Sequence, residues 1–188
     1  MAKRITSDEA RSLWREYQCG DMFALVSLMQ AYYSDLFRWG MSLHAEKELI
    51  KDCIQDVFLK LWRIQQSVAV VDNVKSYLLV TLKTRILQEL SKKQVTHFTS
   101  LSEEYDFTFE FSDDLRLIDE EHEIFQIRKL NHALNRLPGR QKELIYLRFY
   151  QSLNFEQIAE VMCISRQSVY NLFQKSLNSL RKFYDITT

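Results

Sequence analysis

An all-α fold is predicted by three observations. The 188 residues contain only three Gly and one Pro. Alternating runs of β-branched residues are scarce, and apolar residues recur along most of the chain at steps of three and four. The helical period is lost over residues 94–120, so the expected architecture is two small helical domains, 1–93 and 121–188, joined by an acidic linker. The length suffices for one or two such domains with real cores.

Taken in order, Leu13, Trp14 and Tyr17 share one side of a short opening helix over residues 7–18. Cys19-Gly20-Asp21 ends it, and Asp21 is placed to cap the next. From Met22 to Leu43 the set Met22, Leu25, Val26, Met29, Tyr32, Tyr33, Leu36 and Phe37 keeps a helical period. Between Lys47 and Arg63, Ile50, Cys53, Ile54, Val57, Phe58 and Leu61 form a buried stripe. The other side of that helix shows Lys51, Asp52, Gln55, Asp56 and Lys60, with Trp62 near its end. The loop Gln65–Asn73 is apolar in the middle and polar at Asp72-Asn73. A further helix, Val74–Lys93, turns Tyr77, Leu78, Thr81, Leu82, Ile86 and Leu90 inward. Its outer side and end carry Lys75, Lys83, Arg85, Lys92 and Lys93 against a single Glu89.

Residues 94–120 interleave acidic side chains with Phe98, Phe107, Phe109 and Phe111. The alternation from Phe107 to Phe111 has no partner strand in the chain, so an extended, solvated linker is expected. Helical period resumes at Ile124, Ile127, Leu130, Leu134 and Leu137 and stops at Pro138-Gly139. Gln141–Gln151 reads as another helix, with Leu144, Ile145, Leu147 and Phe149 apolar.

The stretch Asn154–Leu177 predicts two short helices joined by a tight turn. Asn154 with Gln157 has the spacing of a capping box. Ile158, Ala159 and Val161 give the first helix its apolar side, Cys163-Ile164-Ser165 breaks the pattern, and Ser165 can cap the second. That second helix is expected to bury Val169, Leu172, Phe173, Leu177 and Leu180 and to run on to Phe183 and Tyr184. This is the spacing of a DNA-binding helix-turn-helix; an ordinary helical hairpin is the plain alternative. The outward residues of the second helix, Arg166, Gln167, Ser168, Tyr170, Asn171, Gln174 and Lys175, favour DNA. All suit base edges or phosphates and none is acidic.

A formal net charge of zero conceals a strong asymmetry. Residues 1–93 carry 14 Lys and Arg against 11 Asp and Glu, residues 94–125 carry 1 against 10, and residues 126–188 carry 10 against 4. Segments so different in charge imply different partners. Met1-Ala-Lys-Arg is followed by no apolar run, and no stretch approaches the ~20 apolar residues that span a bilayer, so neither a leader nor membrane insertion is expected. Cys19, Cys53 and Cys163 are far apart. Cys19 and Cys53 are expected on apolar helix faces and Cys163 at the turn, as reduced thiols of a cytoplasmic protein. His44, His97, His122 and His132 have no ligand spacing, so no metal and no cofactor are expected. There is no glycine-rich phosphate loop and no credible nucleophile–base pair, which speaks against an enzyme.

These residues also carry a family resemblance. The chain resembles bacterial RNA polymerase sigma factors of the short extracytoplasmic-function type, which keep only regions 2 and 4 of the sigma-70 family. KELIKDCIQDVFLKLWR (47–63) resembles the helix that grips the core polymerase clamp. NVKSYLLVTLKTRILQELSKK (73–93) is similar to the helix that melts and reads the −10 element. LNRLPGRQKELIYLRFYQSLNFEQIAEVMCIS resembles region 4 leading into its −35-reading helix. Two modules in this order are far more specific than a lone helix-turn-helix.

The resemblance implies core polymerase and promoter DNA as partners, and an anti-sigma factor that in many relatives is membrane-bound. Asp52, Gln55, Asp56 and Lys60 would face polymerase. Arg166, Gln167, Ser168, Asn171 and Lys175 would enter the major groove. Asp72 and Asn73 would hold a flipped base, and Lys75, Lys83, Arg85, Lys92 and Lys93 the phosphates of the melted strand. The acidic linker would pass near the RNA path, with Glu103, Glu104, Asp113 and Asp114 imitating nucleic acid. The family usually has Gly where this chain has Cys163; a non-Gly residue with positive φ is disfavoured, so a slightly strained or differently shaped turn is expected. The family also often has Trp near Tyr77 and Arg-Asn near Lys83-Thr84.

Two other readings compete. A helix-turn-helix regulator binding duplex DNA as a dimer accounts for 126–188 but leaves helix 47–63 without a task. An adaptor that binds polymerase without DNA leaves the polar recognition helix unexplained.

Overall fold

The computed structural model describes residues 5–64, 70–93, 107–109 and 121–186. They form α1 (Ser7–Gln18), α2 (Met22–Leu43), α3 (Lys47–Ile64), α4 (Val74–Lys93), α5 (Glu121–Asn135), α6 (Gly139–Ile145), a π-helical turn (Tyr146–Tyr150), α7 (Phe155–Met162) and α8 (Arg166–Ile186). Two compact units result, one built on α1–α4 together with Glu160–Cys163 at the end of α7, the other on α5, α6, the π turn, the start of α7 and α8.

The first unit starts from local signals. Thr6 and Glu9 form a reciprocal capping box at α1, the Glu9 N–H donating to Thr6 Oγ1 (3.2 Å) and the Thr6 N–H to Glu9 Oε2 (2.7 Å). Asp21 caps α2 as its position predicts, accepting from the Phe23 N–H at 2.8 Å. Between them Gly20, at φ 111°, closes a Schellman turn through Gly20 N–H to Tyr17 O (3.1 Å) and Asp21 N–H to Glu16 O (3.0 Å). Trp14 and Tyr17 are buried, and Trp14 stands edge-on to Tyr17 (5.4 Å) and to Tyr77 of α4 (5.3 Å). The Tyr17 hydroxyl donates to the Leu61 carbonyl at 2.5 Å, satisfying an acceptor in the last turn of α3; burial pushes this phenol up to about 12. The stripe expected on α3 is buried at every position. Gly40 lets α2 and α3 approach closely, because a Cβ there would lie 2.5 Å from Ile50 Cγ2.

α2 is apolar on more than one side, and the core takes Leu25, Leu28, Tyr32, Leu36 and Trp39. Val26 and Met29, members of the periodic apolar set, are exposed instead, as is Phe23. Cys19 is also exposed rather than set on an apolar face, because it stands at the C-terminal cap of α1.

In the second unit the helix expected from Gln141 begins at Gly139 and gives way to the π turn. There the backbone bonds widen: Gln151 N–H reaches Tyr146 O (3.1 Å) and Leu153 N–H reaches Leu147 O (3.1 Å). That widening turns Phe149 outward, against the expectation from a regular helix, and buries Tyr146. Phe107 and Phe109 pack on the same turn. Phe107 is 1% exposed and lies 5.5 Å from Tyr146, while Phe109 lies 4.5 Å from Tyr146 and 5.4 Å from Tyr150. These residues lie in no helix or strand. They are not solvated, since two aromatic rings gain more from burial than from water. The rest of the linker, including Glu103, Glu104, Asp113 and Asp114, lies outside the described residues.

Asn154 and Gln157 make the capping box that their spacing predicts, both bonds at 2.9 Å. α7 ends in a second Schellman turn, with Cys163 N–H to Glu160 O (3.2 Å) and Ile164 N–H to Ala159 O (3.0 Å). Cys163 takes the left-handed conformation at φ 53°, where its Cβ crowds the backbone. Cys163→Gly is therefore expected to stabilise the fold by about 0.5–1 kcal/mol, measured as a raised urea midpoint at unchanged slope. Ser165 Oγ accepts from the Ser168 N–H at 3.1 Å and caps α8. Val169 is buried as expected, but Leu177 is exposed and Ser176 buried. At 3.6 residues per turn the inner line runs Val169, Phe173, Ser176, Leu180, and Leu177 falls beside it.

Candidate nucleic-acid interface

The helix-turn-helix sets seven side chains of α8 outward. Arg166, Gln167, Ser168, Tyr170, Asn171, Gln174 and Lys175 are all exposed, because Val169 on the opposite side is fully buried. Five of them, Arg166, Gln167, Ser168, Tyr170 and Asn171, contact one another or neighbouring side chains. Gln167 Nε2 donates to Asn171 Oδ1 at 3.1 Å, so these amides must exchange each other for base edges. Ser168 Oγ lies 2.8 Å from Ser165 Oγ. Arg166 Nη1 lies 2.6 Å from Glu156 Oε1 in α7, and its guanidinium sits 5.8 Å from the Tyr170 ring centroid. The Tyr170 hydroxyl first, and then the Glu156 carboxylate, hold the Arg166 pKa above its ordinary value. Glu156 was not indicated by periodicity, because its partner lies in another helix, ten residues on. A cleft of about 310 Å³ opens here, lined by Arg148, Asn154, Phe155, Glu156, Arg166 and Tyr170.

In the first unit the candidate residues of α4 are more committed than its charge pattern suggests. Lys75 pairs with Asp35 of α2 at 2.9 Å. Lys83 is buried rather than on the outer side, because its Nζ donates to the Val161 carbonyl at the end of α7 at 3.1 Å. Arg85 donates through Nε (2.9 Å) and Nη2 (2.6 Å) to Asp56 Oδ2 and also pairs with Glu89. The hydrogen bonds that Arg85 donates to Asp56 chiefly raise the Arg85 pKa. Arg85 and Asp56, assigned by resemblance to different partners, thus meet each other across α3 and α4. Asn73 Oδ1 caps α4, accepting from the Ser76 N–H at 2.7 Å, while Asp72 is exposed. Residues 65–69 of the expected base pocket lie outside the described residues, as does the Lys93 side chain. Lys92 is exposed and pairs with Glu89 at 3.0 Å.

The outer side of α3 presents Asp52, Gln55 and Lys60 exposed and Asp56 half-buried. Two large apolar side chains join them, Leu59 at 43% and Trp62 at 53% exposure. Asp52, Gln55, Asp56, Leu59 and Trp62 fall at i, i+3, i+4, i+7 and i+10, a single helical face. Leu59 was missed because in sequence it merges with the apolar run Val57-Phe58. Carboxylates beside exposed aliphatic and indole surface suit a protein partner better than a polyanion.

Comparison with known proteins follows the same division. Residues 28–96 match the model for sigma-70 region 2, and residues 133–182 match that for sigma-70 region 4. The chain is 26% identical over 157 residues to the RNA polymerase sigma factor SigV of Bacillus subtilis (strain 168), covering 84% of this chain and 89% of that protein. It is 22% identical over 163 residues to the ECF RNA polymerase sigma factor SigX of the same organism, covering 85% and 82%. Among solved structures, CnrH in complex with the cytosolic domain of CnrY shares the fold at TM-score 0.60 and 16% identity, over 96% of this chain and 100% of that one. The sigma factor RpoE in complex with the anti-sigma factor NepR from Bartonella quintana does so at TM-score 0.54 and 18% identity, over 87% and 98%.

Proposed function

The chain belongs to the sigma-70 family, as a bacterial RNA polymerase sigma factor of the extracytoplasmic-function type with regions 2 and 4, and we propose how its own residues divide that task. A sigma factor binds core polymerase and directs it to promoters; the work is recognition. In this reading the chain catalyses no reaction itself, and its place is the cytoplasm, beside polymerase and chromosome. No helix among the described residues is long and apolar enough to cross a membrane.

α8 reads the −35 element in the major groove through Arg166, Gln167, Ser168, Tyr170, Asn171, Gln174 and Lys175. Residues 1–93 serve as the polymerase- and −10-binding domain, with the face Asp52, Gln55, Asp56 and Lys60, extended by Leu59 and Trp62, against polymerase. Asp72 and Asn73 meet the melted strand; Lys75 and Arg85 reach strand phosphates only after releasing Asp35, Asp56 and Glu89, while buried Lys83 stays on the Val161 carbonyl and acts only through the fold. An anti-sigma factor is the further partner, since both solved relatives were captured with a second protein, named an anti-sigma factor in one of them.

The observation that carries this reading is the pairing of an outward polar, carboxylate-free face on α8 with a mixed apolar and acidic face on α3. Run-off transcription with purified core polymerase, with and without the protein, on upstream regions of the host genome tests it. Start sites that appear only with the protein are expected. Tight duplex binding without any binding to core would instead favour the dimeric helix-turn-helix regulator. Within α8, Lys175→Ala is expected to lower the slope of log affinity against log salt by about 1 and to leave base preference unchanged, as for a single phosphate contact.

A further inference from the structure

Arg166 is the first residue of α8, the end that a recognition helix presents to base edges. Its guanidinium is held by two residues, Glu156 and Tyr170. Glu156 Oε1 accepts from Nη1 at 2.6 Å, the Tyr170 hydroxyl lies 3.5 Å from Nη2, and the Tyr170 ring lies beneath. The brace is itself supported. Phe155 meets Tyr170 edge-on at 4.7 Å and 80°, and Arg148 lies over Phe155 at 5.4 Å. Arg148 is tethered in turn by its hydrogen bond to the Leu153 carbonyl at 2.9 Å.

We propose that Glu156 is a positioning residue for promoter readout, holding Arg166 as a fixed fork for a guanine edge rather than as a phosphate clamp. This rests on the reading of α8 as the −35 reader. The reasoning is electrostatic and geometric. A pair of opposite charges is neutral as a unit, so it gains little from the phosphate backbone and releases few counterions. A carboxylate beside phosphates is a liability unless it serves the arginine. What the pair supplies is orientation. Bidentate contact with guanine O6 and N7 requires the guanidinium plane to be set, and a side chain already held by an acceptor and a ring gives up less freedom on binding. Both members are about 60% exposed, so neither is needed for folding.

The test uses the full chain in complex with core polymerase on a promoter library randomised across the upstream element. The wild-type protein is expected to prefer guanine at one position, and Arg166→Ala to lose that preference. Glu156→Ala is expected to reduce discrimination at the same position by about 5- to 50-fold and to leave the other positions unchanged. Glu156→Gln, which keeps an acceptor but no charge, is expected to retain part of it. If Glu156→Ala keeps the base profile and simply binds every sequence more tightly, with a steeper salt dependence, Glu156 is only a charge mask and the proposal fails. It fails equally if Arg166→Ala leaves the profile intact. A flat profile across the upstream element for the wild-type protein would instead sink the −35 reading itself.

Discussion

Replacing Trp62 by alanine is expected to weaken binding to core polymerase by about 2–4 kcal/mol, which is roughly 30- to 1000-fold in Kd. Trp62 is 53% exposed near the end of α3, on the same face as Asp52, Gln55, Asp56 and Leu59. An indole left half in water by its own fold gains when a partner desolvates it, and its N–H can still find an acceptor at the rim. The charged members of the face are expected to matter less singly. Asp52 and Lys60 are exposed, and rim charges alter association rate and salt dependence more than affinity. Because 53% of Trp62 already faces water, folding stability should change by less than about 1 kcal/mol. Competition binding against a labelled sigma factor on core polymerase measures the effect. A change below twofold would remove this face from the polymerase interface.

The second large effect is on stability. Trp14→Ala removes a side chain that is 1% exposed and that links α1 to α4 through its edge contact with Tyr77. The transfer loss and the cavity together cost about 3–5 kcal/mol. That is a large part of the 5–15 kcal/mol typical of a whole domain. The urea midpoint of the first unit should fall steeply, followed through the fluorescence of Trp39, which is fully buried in the same unit. Trp14→Phe keeps a ring in the site and should lose much less. Equal midpoints for wild type and Trp14→Ala would mean that α1 contributes nothing to this core.

Much of the fold was legible because it is local. The Asn154–Gln157 box, the Asp21 and Ser165 caps and the stripe Ile50 to Leu61 are all set by residues within a few turns of one another. Such signals need no knowledge of the tertiary fold. The outward face of α8 was legible for the same reason, since Val169 inward dictates its neighbours outward. The misses are equally instructive. Phe149 and Leu177 have the right hydropathy and the wrong phase, one displaced by a π turn and the other lying beside the inner line. Lys83 reads as a surface cation by chemistry, yet folding buries it with its ammonium on the Val161 carbonyl.

Sequence by itself thus determined the all-α class, the order of helices, the helix-turn-helix and the family, because each follows from short-range periodicity and capping. Tertiary structure alone decided which of the basic and acidic candidates are spoken for. Arg85 meets Asp56 across 29 residues of chain, Lys75 meets Asp35, and Arg166 meets Glu156. It also decided that Phe107 is buried on Tyr146 rather than solvated. A charge or an aromatic ring carries no mark in the sequence of the partner that folding will bring to it; only the packing of one element on another supplies that partner.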